Sequence, residues 1–230
     1  MNRGGVWRTG DGGSSWSDLS GGGVTDTSVK ALAMSPQNAM LLYAGSDGGS
    51  LYKTVNGGGA WTNGNLTGVS FVALVVDPTS SSTVYAATTG AVQKTTTGGT
   101  SWMPLSTGLP AAPTITALAM EGGNPMALWL GLQSGTVYRS VDAGATWTAV
   151  GGLSAKPITA LATPPTRAGV AIVGTGGDGV QYTTDGGMSY RTLNGGLESL
   201  SIASLAFDRG DPTVVYAGTV SGGVYRATIP

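Results

Sequence analysis

The sequence predicts an all-β fold made of five similar units, and three observations support this prediction. First, an octet that contains glycine and ends in an aromatic residue occurs five times in the 230 residues. Second, short apolar runs follow one another in the same order between the octets. Third, Gly, Pro, Asn and Ser separate these runs, and the apolar residues of the runs do not have the 3.6-residue spacing of an amphipathic helix. The chain is therefore expected to consist of strands and turns.

The octets, numbered 1 to 5 along the chain, define the length of the repeat. Their final aromatic residues are separated by 45, 41, 45 and 43 positions. The octets read TGDGGSSW (9–16), TVNGGGAW (54–61), TTTGGTSW (95–102), SVDAGATW (140–147) and TTDGGMSY (183–190).

Four short β-rich runs recur with the same period. Run A contains an Ala-Leu pair such as Ala31-Leu32, run B reads like LYAG (42–45), run C reads like GVYR (223–226), and run D starts at the octet aromatic residue. Four antiparallel strands in about 43 residues are typical of one blade of a β-propeller. The alanines indicate that run A is the innermost strand, where neighbouring blades crowd together.

The predicted architecture is a five-bladed β-propeller of four-stranded antiparallel blades that forms a single domain over residues 1–230. The N-terminal run D is expected to complete one composite blade with the C-terminal runs A and B, because closure removes the free sheet edge. Run C occurs six times, so GVWR (5–8) and GVYR (223–226) compete for one position. We expect the copy that is left out to be poorly ordered. A monomer is predicted, with a strand-exchanged oligomer as the alternative.

The composition excludes several kinds of function. Cysteine and histidine are absent, which removes thiol and imidazole chemistry and any zinc site built on those residues. The net charge of −1 gives no basic surface for nucleic acid. No apolar run is long enough to cross a bilayer. The start MNRGGVWRTG is not a signal peptide, so for the extracytoplasmic or secreted location that we expect, the sequence would be that of the mature form.

The octets also carry a resemblance to a known family. They match the pattern Ser/Thr-x-Asp/Asn-x-Gly-x-Ser/Thr-Trp/Phe, with departures at Ala60, Thr97 and Tyr190. In this respect the chain resembles the Asp-box (BNR-repeat) propellers of bacterial sialidases, xyloglucanases, sortilin-type receptors and photosystem II assembly factors. The resemblance implies that each octet forms the turn between runs C and D, on the face opposite the active or binding site.

The residues of the octets are predicted to be structural. A short carboxylate in a turn accepts backbone N–H groups, and the aromatic residue fills the gap between blades. Asn56 and Thr97 keep an oxygen that can cap the turn, but neither can perform acid–base chemistry. The predicted structural residues are Thr9, Asp11, Gly13, Trp16, Asn56, Trp61, Thr97, Trp102, Asp142, Trp147, Asp185 and Tyr190.

The candidate binding face is the opposite one, formed by the D–A and B–C loops. Five acidic residues outside the repeat pattern are predicted there together with a lysine, and they are Asp18, Asp26, Asp47, Asp178, Glu198 and Lys156. They are compatible with a solvated rim, with a bound cation or partner, or with a glycosidase pair formed by Asp47 and Asp178. No other cofactor or metal is predicted.

Three hypotheses for the function remain open at this point. The first is a non-enzymatic binding or scaffolding module that presents the D–A/B–C loop face to a protein or a glycan. The second is a glycoside hydrolase that uses Asp47 and Asp178. The third is a repeat fragment or an engineered propeller without an activity of its own. Almost every aromatic residue occupies a repeat position, which argues against a strong lectin.

Overall fold

The described part of the chain consists almost entirely of strands and turns. The computed structural model describes residues 4–153 and 155–230. Within these ranges the single helical element is a 3₁₀ turn at Ser20–Gly22. No helix in the same ranges has the length and apolar character that a bilayer span requires. The all-β prediction is therefore confirmed.

The strands, numbered β1 to β21 along the chain, follow the predicted runs. Those of run A are β3 (Val29–Ser35), β7 (Phe71–Asp77), β11 (Ile115–Glu121), β15 (Ile158–Ala162) and β19 (Ile202–Phe207). Those of run B are β4 (Asn38–Ser46), β8 (Ser80–Thr88), β12 (Asn124–Leu132), β16 (Ala171–Thr175) and β20 (Val214–Thr219).

Runs C and D give shorter strands on either side of each octet. Those of run C are β1 (Trp7–Arg8), β5 (Ser50–Thr54), β9 (Val92–Thr95), β13 (Val137–Ser140), β17 (Val180–Thr183) and β21 (Val224–Thr228). Those of run D are β2 (Ser17–Asp18), β6 (Thr62–Thr67), β10 (Met103–Pro104), β14 (Thr148–Val150) and β18 (Arg191–Thr192).

The strands form six antiparallel sheets among the described residues. Four of them have four strands in the order A-B-C-D, namely β3–β6, β7–β10, β11–β14 and β15–β18. The other two are the pair β1–β2 and the three-stranded sheet β19–β20–β21. Each octet lies at the turn between runs C and D, and the D–A and B–C loops lie at the opposite end of the same sheet.

The chain divides into two compact units. The first ends at Pro104 and holds the pair β1–β2 and the sheets β3–β6 and β7–β10; the second begins at Leu105 and holds the remaining three sheets. Within each unit the run-A strands of successive sheets lie next to each other: β3 beside β7, β11 beside β15, and β15 beside β19. A single domain over the whole chain stays a prediction.

Both terminal copies of run C are ordered and paired. Trp7 of β1 pairs with Asp18 of β2, and Tyr216 of β20 pairs with Arg226 of β21. The prediction that one copy is left out and poorly ordered is therefore wrong. Each copy has an adjacent run of its own repeat as an antiparallel partner, and that local pairing orders it within its unit.

The core of each unit lies between successive sheets, and a glycine that recurs in run B allows these sheets to pack closely. The first residue of run A precedes a register irregularity, and in the second to fifth repeats it is buried. A Cβ added to Gly45 would lie 2.4 Å from the ring of Phe71, and one added to Gly174 would lie 2.6 Å from Ile202. The run-B glycine thus leaves room for a large side chain of the next sheet.

Candidate functional site

The octets share one hydrogen-bond pattern. In octet 4 the Ser140 hydroxyl donates to Asp142 Oδ1 at 2.7 Å and accepts the backbone N–H of Gly144 at 2.8 Å. The Thr146 backbone N–H and hydroxyl donate to Oδ1 and Oδ2 of the same carboxylate at 2.9 and 2.6 Å. Gly144 has a positive φ of 85°, which an L side chain rarely adopts. The acid therefore closes a tight turn.

The same bonds fix the ionisation of the octet acids. Donation from the side chain and backbone of Ser15, and from Thr9, lowers the pKa of Asp11 from 3.8 to about 2. The corresponding donors, Thr146 first and then Ser140, lower the pKa of Asp142 to about 2. The pKa of Asp185 is lowered too, mainly by Ser189. These carboxylates hold no proton to give near neutral pH.

Octets 2 and 3 keep the turn without an acid. Asn56 Oδ1 accepts the Thr54 hydroxyl and the Ala60 backbone N–H, both at 2.8 Å. Thr97 Oγ1 accepts the Ser101 backbone N–H at 3.1 Å. A neutral acceptor is therefore enough for the geometry.

Two run-C cations of the first unit bind the next octet. Lys53 Nζ donates to the Gly98 carbonyl at 2.8 Å, and Arg8 Nη1 donates to the Gly57 carbonyl at 3.2 Å. Lys53 Nζ also lies 5.8 Å from the centre of the Tyr43 ring. These side chains therefore connect neighbouring repeats of the first unit.

Glu121 shares its repeat position at the end of run A with Asp77 and Asp208, and this position predicts a turn residue, but the structure gives Glu121 another role. Glu121 is fully buried, and its Oε1 accepts Arg139 Nη2 at 2.8 Å and the Trp129 indole N–H at 2.9 Å. Its Oε2 accepts the Gly169 backbone N–H at 3.0 Å. The equivalent acids, Asp77 and Asp208, do cap turns. Glu has one more methylene than Asp, which lets it reach across the sheet interface.

The first unit places two of the acidic residues at one loop end. The Ser46 hydroxyl, followed by the backbone N–H groups of Ser28 and Gly48, lowers the pKa of Asp26. Asp47 is exposed and lies 3.6 Å from Lys30 Nζ. It also accepts the Ser70 hydroxyl at 2.7 Å.

Asp18 lies at the point where run D ends and the D–A loop begins. It belongs to strand β2 rather than to the D–A loop, and its Oδ1 accepts the Ser20 backbone N–H at 2.8 Å. Run D of the first repeat extends through this residue because it pairs with Trp7 of β1.

The second unit holds the remaining residues of the predicted face. Asp178 lies half-buried in the B–C loop, and its backbone N–H donates to the Thr175 hydroxyl at 2.9 Å. Glu198 and Lys156 are exposed in D–A loops, and Lys156 passes close to Gly177. Among residues 4–153 and 155–230, no three acidic residues are grouped so that they could hold a metal ion.

A cleft at the loop end of the sheet β11–β14 is the candidate site of the second unit. Its volume is about 530 Å³, and its walls come from the D–A loop and the B–C loop. The lining residues are Pro110, Ala112, Pro113, Thr114, Leu132, Gln133, Ser134, Thr136 and Tyr138. No charged side chain is among them, and hydroxyls, one amide and one phenol supply the polarity.

Local structure holds the B–C loop of this cleft. The Leu132 N–H donates to the Thr136 carbonyl at 3.0 Å, and the Gln133 N–H donates to the Thr114 carbonyl at 2.9 Å. The second bond ties the loop to the D–A loop and leaves the Gln133 side chain exposed. A second cavity of about 190 Å³ shares Ser134 and Thr136, so the cleft continues along the sheet end.

The sequence pointed to one wall of this cleft and missed the other. The length of the segment 103–114 predicts a loop on the binding face, and the part of it that lines the cleft lies between Pro110 and Thr114. Tyr138 occupies the aromatic position of run C, and no feature of the sequence sets Gln133 apart. Only their position could have identified Gln133 and Tyr138, because both lie at the B–C end of one sheet, opposite a proline-rich loop.

Comparison with known proteins gives one curated relative. Over 188 residues the chain is 29% identical to a xyloglucanase of Hypocrea jecorina, a match that covers 77% of this chain and 22% of that protein. The chain thus spans about a fifth of this relative. No protein-family model matches the sequence.

Solved structures support the fold. A GH74 xyloglucanase from Xanthomonas campestris matches with a TM-score of 0.70 and 14% identity, over 99% of this chain and 49% of that one. A GH74 enzyme of Niastella koreensis matches with a TM-score of 0.68 and 22% identity, over 89% and 30%. These matches support the predicted β-propeller fold. At this level of identity they show the fold alone.

The comparisons also correct the first functional hypothesis. We expected a non-enzymatic binding or scaffolding module, and this expectation is wrong: the curated relative is a xyloglucanase, which is a glycoside hydrolase. The second hypothesis, a glycoside hydrolase, fits this finding better.

Proposed function

We propose that the chain is a glycoside-hydrolase propeller that acts on a neutral polysaccharide of the xyloglucan class. The observation that carries the proposal is the 29% identity with a xyloglucanase over 77% of the chain. The proposed activity is that of a relative of which this chain spans 22%. An extracytoplasmic location follows from the proposal, because a polysaccharide of this kind is met outside the cytoplasm.

The cleft of the second unit supports a neutral substrate. Its lining holds no charge, so an anionic sugar would find no counter-ion there. The Gln133 amide and the Ser134 and Thr136 hydroxyls can exchange hydrogen bonds with sugar hydroxyls. The Tyr138 ring and the prolines give apolar surface for a sugar face. The continuation of the cleft suits an extended chain better than a single sugar.

Asp47 of the first unit and Asp178 of the second unit are the two acids that we propose to test for catalysis. Water adds across the glycosidic bond when one carboxylic acid protonates the leaving oxygen and one carboxylate activates water or attacks the anomeric carbon. Asp47 lies beside the Lys30 ammonium and accepts the Ser70 hydroxyl. Asp178 lies half-buried in its B–C loop, where its backbone N–H donates to the Thr175 hydroxyl.

The finer architecture is part of the same proposal. The octet geometry supports membership of the Asp-box propellers. Four complete A-B-C-D sheets, together with the C-D pair β1–β2 and the A-B-C sheet β19–β21, support the five blades and the closed single domain that the sequence predicts. Asp18, Asp26, Glu198 and Lys156 would then frame the binding face.

An assay of reducing-end release from xyloglucan tests the function. We expect activity in the purified chain and a loss of at least about 100-fold in Asp47→Asn and in Asp178→Asn, as for removal of a general acid or base. Asp142→Asn is the matched control, because it makes the same chemical change in an octet, and it should retain activity. The absence of release from xyloglucan and other neutral β-glucans would refute the proposed function. Full activity in both variants would refute only the pair.

A further inference from the structure

The sequence contains one tripeptide of the kind that accepts an N-linked glycan. Asn65-Leu66-Thr67 matches the pattern Asn-x-Ser/Thr, in which x is any residue except Pro. No other asparagine of the sequence has Ser or Thr two residues later. In such a tripeptide the Asn amide receives the sugar, and the hydroxyl two residues later is required for the transfer. The tripeptide forms the second half of strand β6.

The fold leaves both functional groups of this tripeptide accessible. Asn65 and Thr67 are exposed, whereas Leu66 between them is buried. The pairing of β6 with β5 is irregular between Asn63 and Thr67. At this irregularity Asn65 has a positive φ of 56°, and its backbone N–H donates to Asn63 Oδ1 at 2.7 Å. A bulky group on the Asn65 amide therefore lies outside the core.

The Asn65 amide can keep its contact with the next repeat after modification. Its Nδ2 donates to the Gly99 carbonyl of octet 3 at 3.1 Å. A glycan replaces one of the two amide hydrogens, and the other hydrogen can stay in this bond. Modification is therefore compatible with the packing of octet 3 on the sheet β3–β6.

Strand β6 also has a physical reason to be covered. It has six residues, whereas the other run-D strands of the described chain have two or three. It pairs with β5 on one side, and no described strand lies along its other edge. A long strand with a free edge is a site for pairing with another chain, and natural proteins protect such edges. A bulky, hydrated glycan gives this protection.

We propose that Asn65 is an N-glycosylation site and that its glycan covers the free edge of β6. The site depends on the extracytoplasmic location that is part of the proposed function. The donor is an oligosaccharide attached to a lipid diphosphate. The Asn65 Nδ2 bonds to the anomeric carbon of this donor, the bond from that carbon to the diphosphate oxygen breaks, and the electron pair leaves with the lipid diphosphate. The amide loses one proton, and nothing is oxidised or reduced.

Secretion of the chain from a yeast host, behind an added signal peptide, tests the site. We expect a single glycan, which a peptide N-glycosidase removes while it converts the modified Asn into Asp. Mass spectrometry of peptides should then place that Asp at residue 65. Asn65→Gln and Thr67→Ala should abolish the glycan, whereas Thr67→Ser should keep it. Asn38→Gln is the control, because Asn38 is also exposed but has Met two residues later.

A variant with a second acceptor makes the absence of a glycan decisive. Met40→Thr places a hydroxyl two residues after Asn38, at another exposed position of the first unit. A glycan on Asn38 of this variant, with none on Asn65, overturns the proposal. Xyloglucan hydrolysis by the same samples is a separate measurement. A modified chain without activity would refute the proposed function alone, and an active chain without the glycan would refute the site alone.

Light scattering tests whether the glycan covers the strand edge. We expect the Asn65→Gln chain to associate at concentrations at which the glycosylated chain does not. Thr62→Lys, added to Asn65→Gln, should reverse this association, because a lysine on an edge strand opposes pairing with another chain. The same association in the glycosylated and the Asn65→Gln chains would show that the glycan does not protect the edge and would overturn that part of the proposal.

Discussion

The Glu121 carboxylate lies 2.8 Å from Arg139 Nη2 and is completely buried. The guanidinium in turn lies 5.1 Å from the centre of the Trp129 ring, and the indole N–H of that ring donates to the same carboxylate. With the Gly169 N–H on its second oxygen, the acid has partners on both oxygens. This cluster connects the sheets β11–β14 and β15–β18 of the second unit by buried polar contacts.

Removal of the Glu121 charge should destabilise the protein. Glu121→Gln leaves the Arg139 guanidinium with no carboxylate in a partly buried place, and loss of one partner from a buried pair costs about 3–5 kcal/mol. Urea denaturation measures the free energy of unfolding. The control Glu198→Gln changes an exposed acid and should stay within about 0.5 kcal/mol of the unaltered chain. Equal effects of the two changes on the free energy of unfolding would contradict a stabilising role of the Glu121 contacts.

The close approach between sheets predicts a large effect of one methyl group. Gly45→Ala would place a Cβ about 2.4 Å from the Phe71 ring, so the ring or the strand must shift. Overpacking of this kind costs about 1–3 kcal/mol. Gly90→Ala is the matched change, since a Cβ there meets nothing within 4 Å and Gly90 has no positive φ. Thermal unfolding of both variants should show a clear decrease in Tm only for the first.

The octet acids predict how stability depends on pH. The pKa of Asp142 is about 2 in the folded chain and 3.8 without its donors. Because the folded value is the lower one, the stabilisation is present above about pH 4 and is lost as the pH falls towards 2. Asp142→Asn keeps an acceptor, as Asn56 does, and should weaken this dependence in acid titrations of the denaturation midpoint. The reverse change Asn56→Asp should strengthen it. No change in the acid dependence in either variant would contradict the assignment.

The cleft predicts a separation of binding from catalysis. Gln133→Ala and Tyr138→Ala remove groups that contact the sugar in the proposed complex and take no part in proton transfer. We expect KM for xyloglucan to rise about 5- to 30-fold with kcat nearly unchanged, as for loss of uniform binding. Gln37→Ala is the control because Gln37 is also exposed but lies in the turn between runs A and B, at the octet end of its sheet, where its amide oxygen accepts the Ser81 hydroxyl. A selective decrease in kcat would instead place the cleft residues in the chemistry.

Much of the fold was predictable because its signals are local and repeated. Gly144 and the oxygen of Asp142 fix a turn within eight residues, and the apolar runs on either side have the length of strands. The order A-B-C-D follows, since short turns join antiparallel neighbours. The fate of the two terminal copies of run C was not predictable in this way, because the first and last copies fit the same slot equally well in sequence.

The candidate site was less predictable, because its residues come together from distant parts of the chain. Pro113 and Tyr138 form one cleft only because the D–A and B–C loops end at the same side of a sheet. Glu121 differs from Asp77 by one methylene, yet the first is a buried ion-pair partner and the second caps a turn. The length of the side chain and its neighbours in the folded chain decide which of these roles it has.

The sequence by itself determined the all-β class, the repeat and the turns, because hydrophobic period and turn chemistry act over a few residues. The tertiary structure alone decided which surfaces remain open. Trp16 and Trp61 end octets of the same pattern, but Trp61 has a preceding repeat to pack on, whereas Trp16 is left exposed. The burial of a side chain depends on what lies across the interface, and that partner lies tens of residues away in sequence.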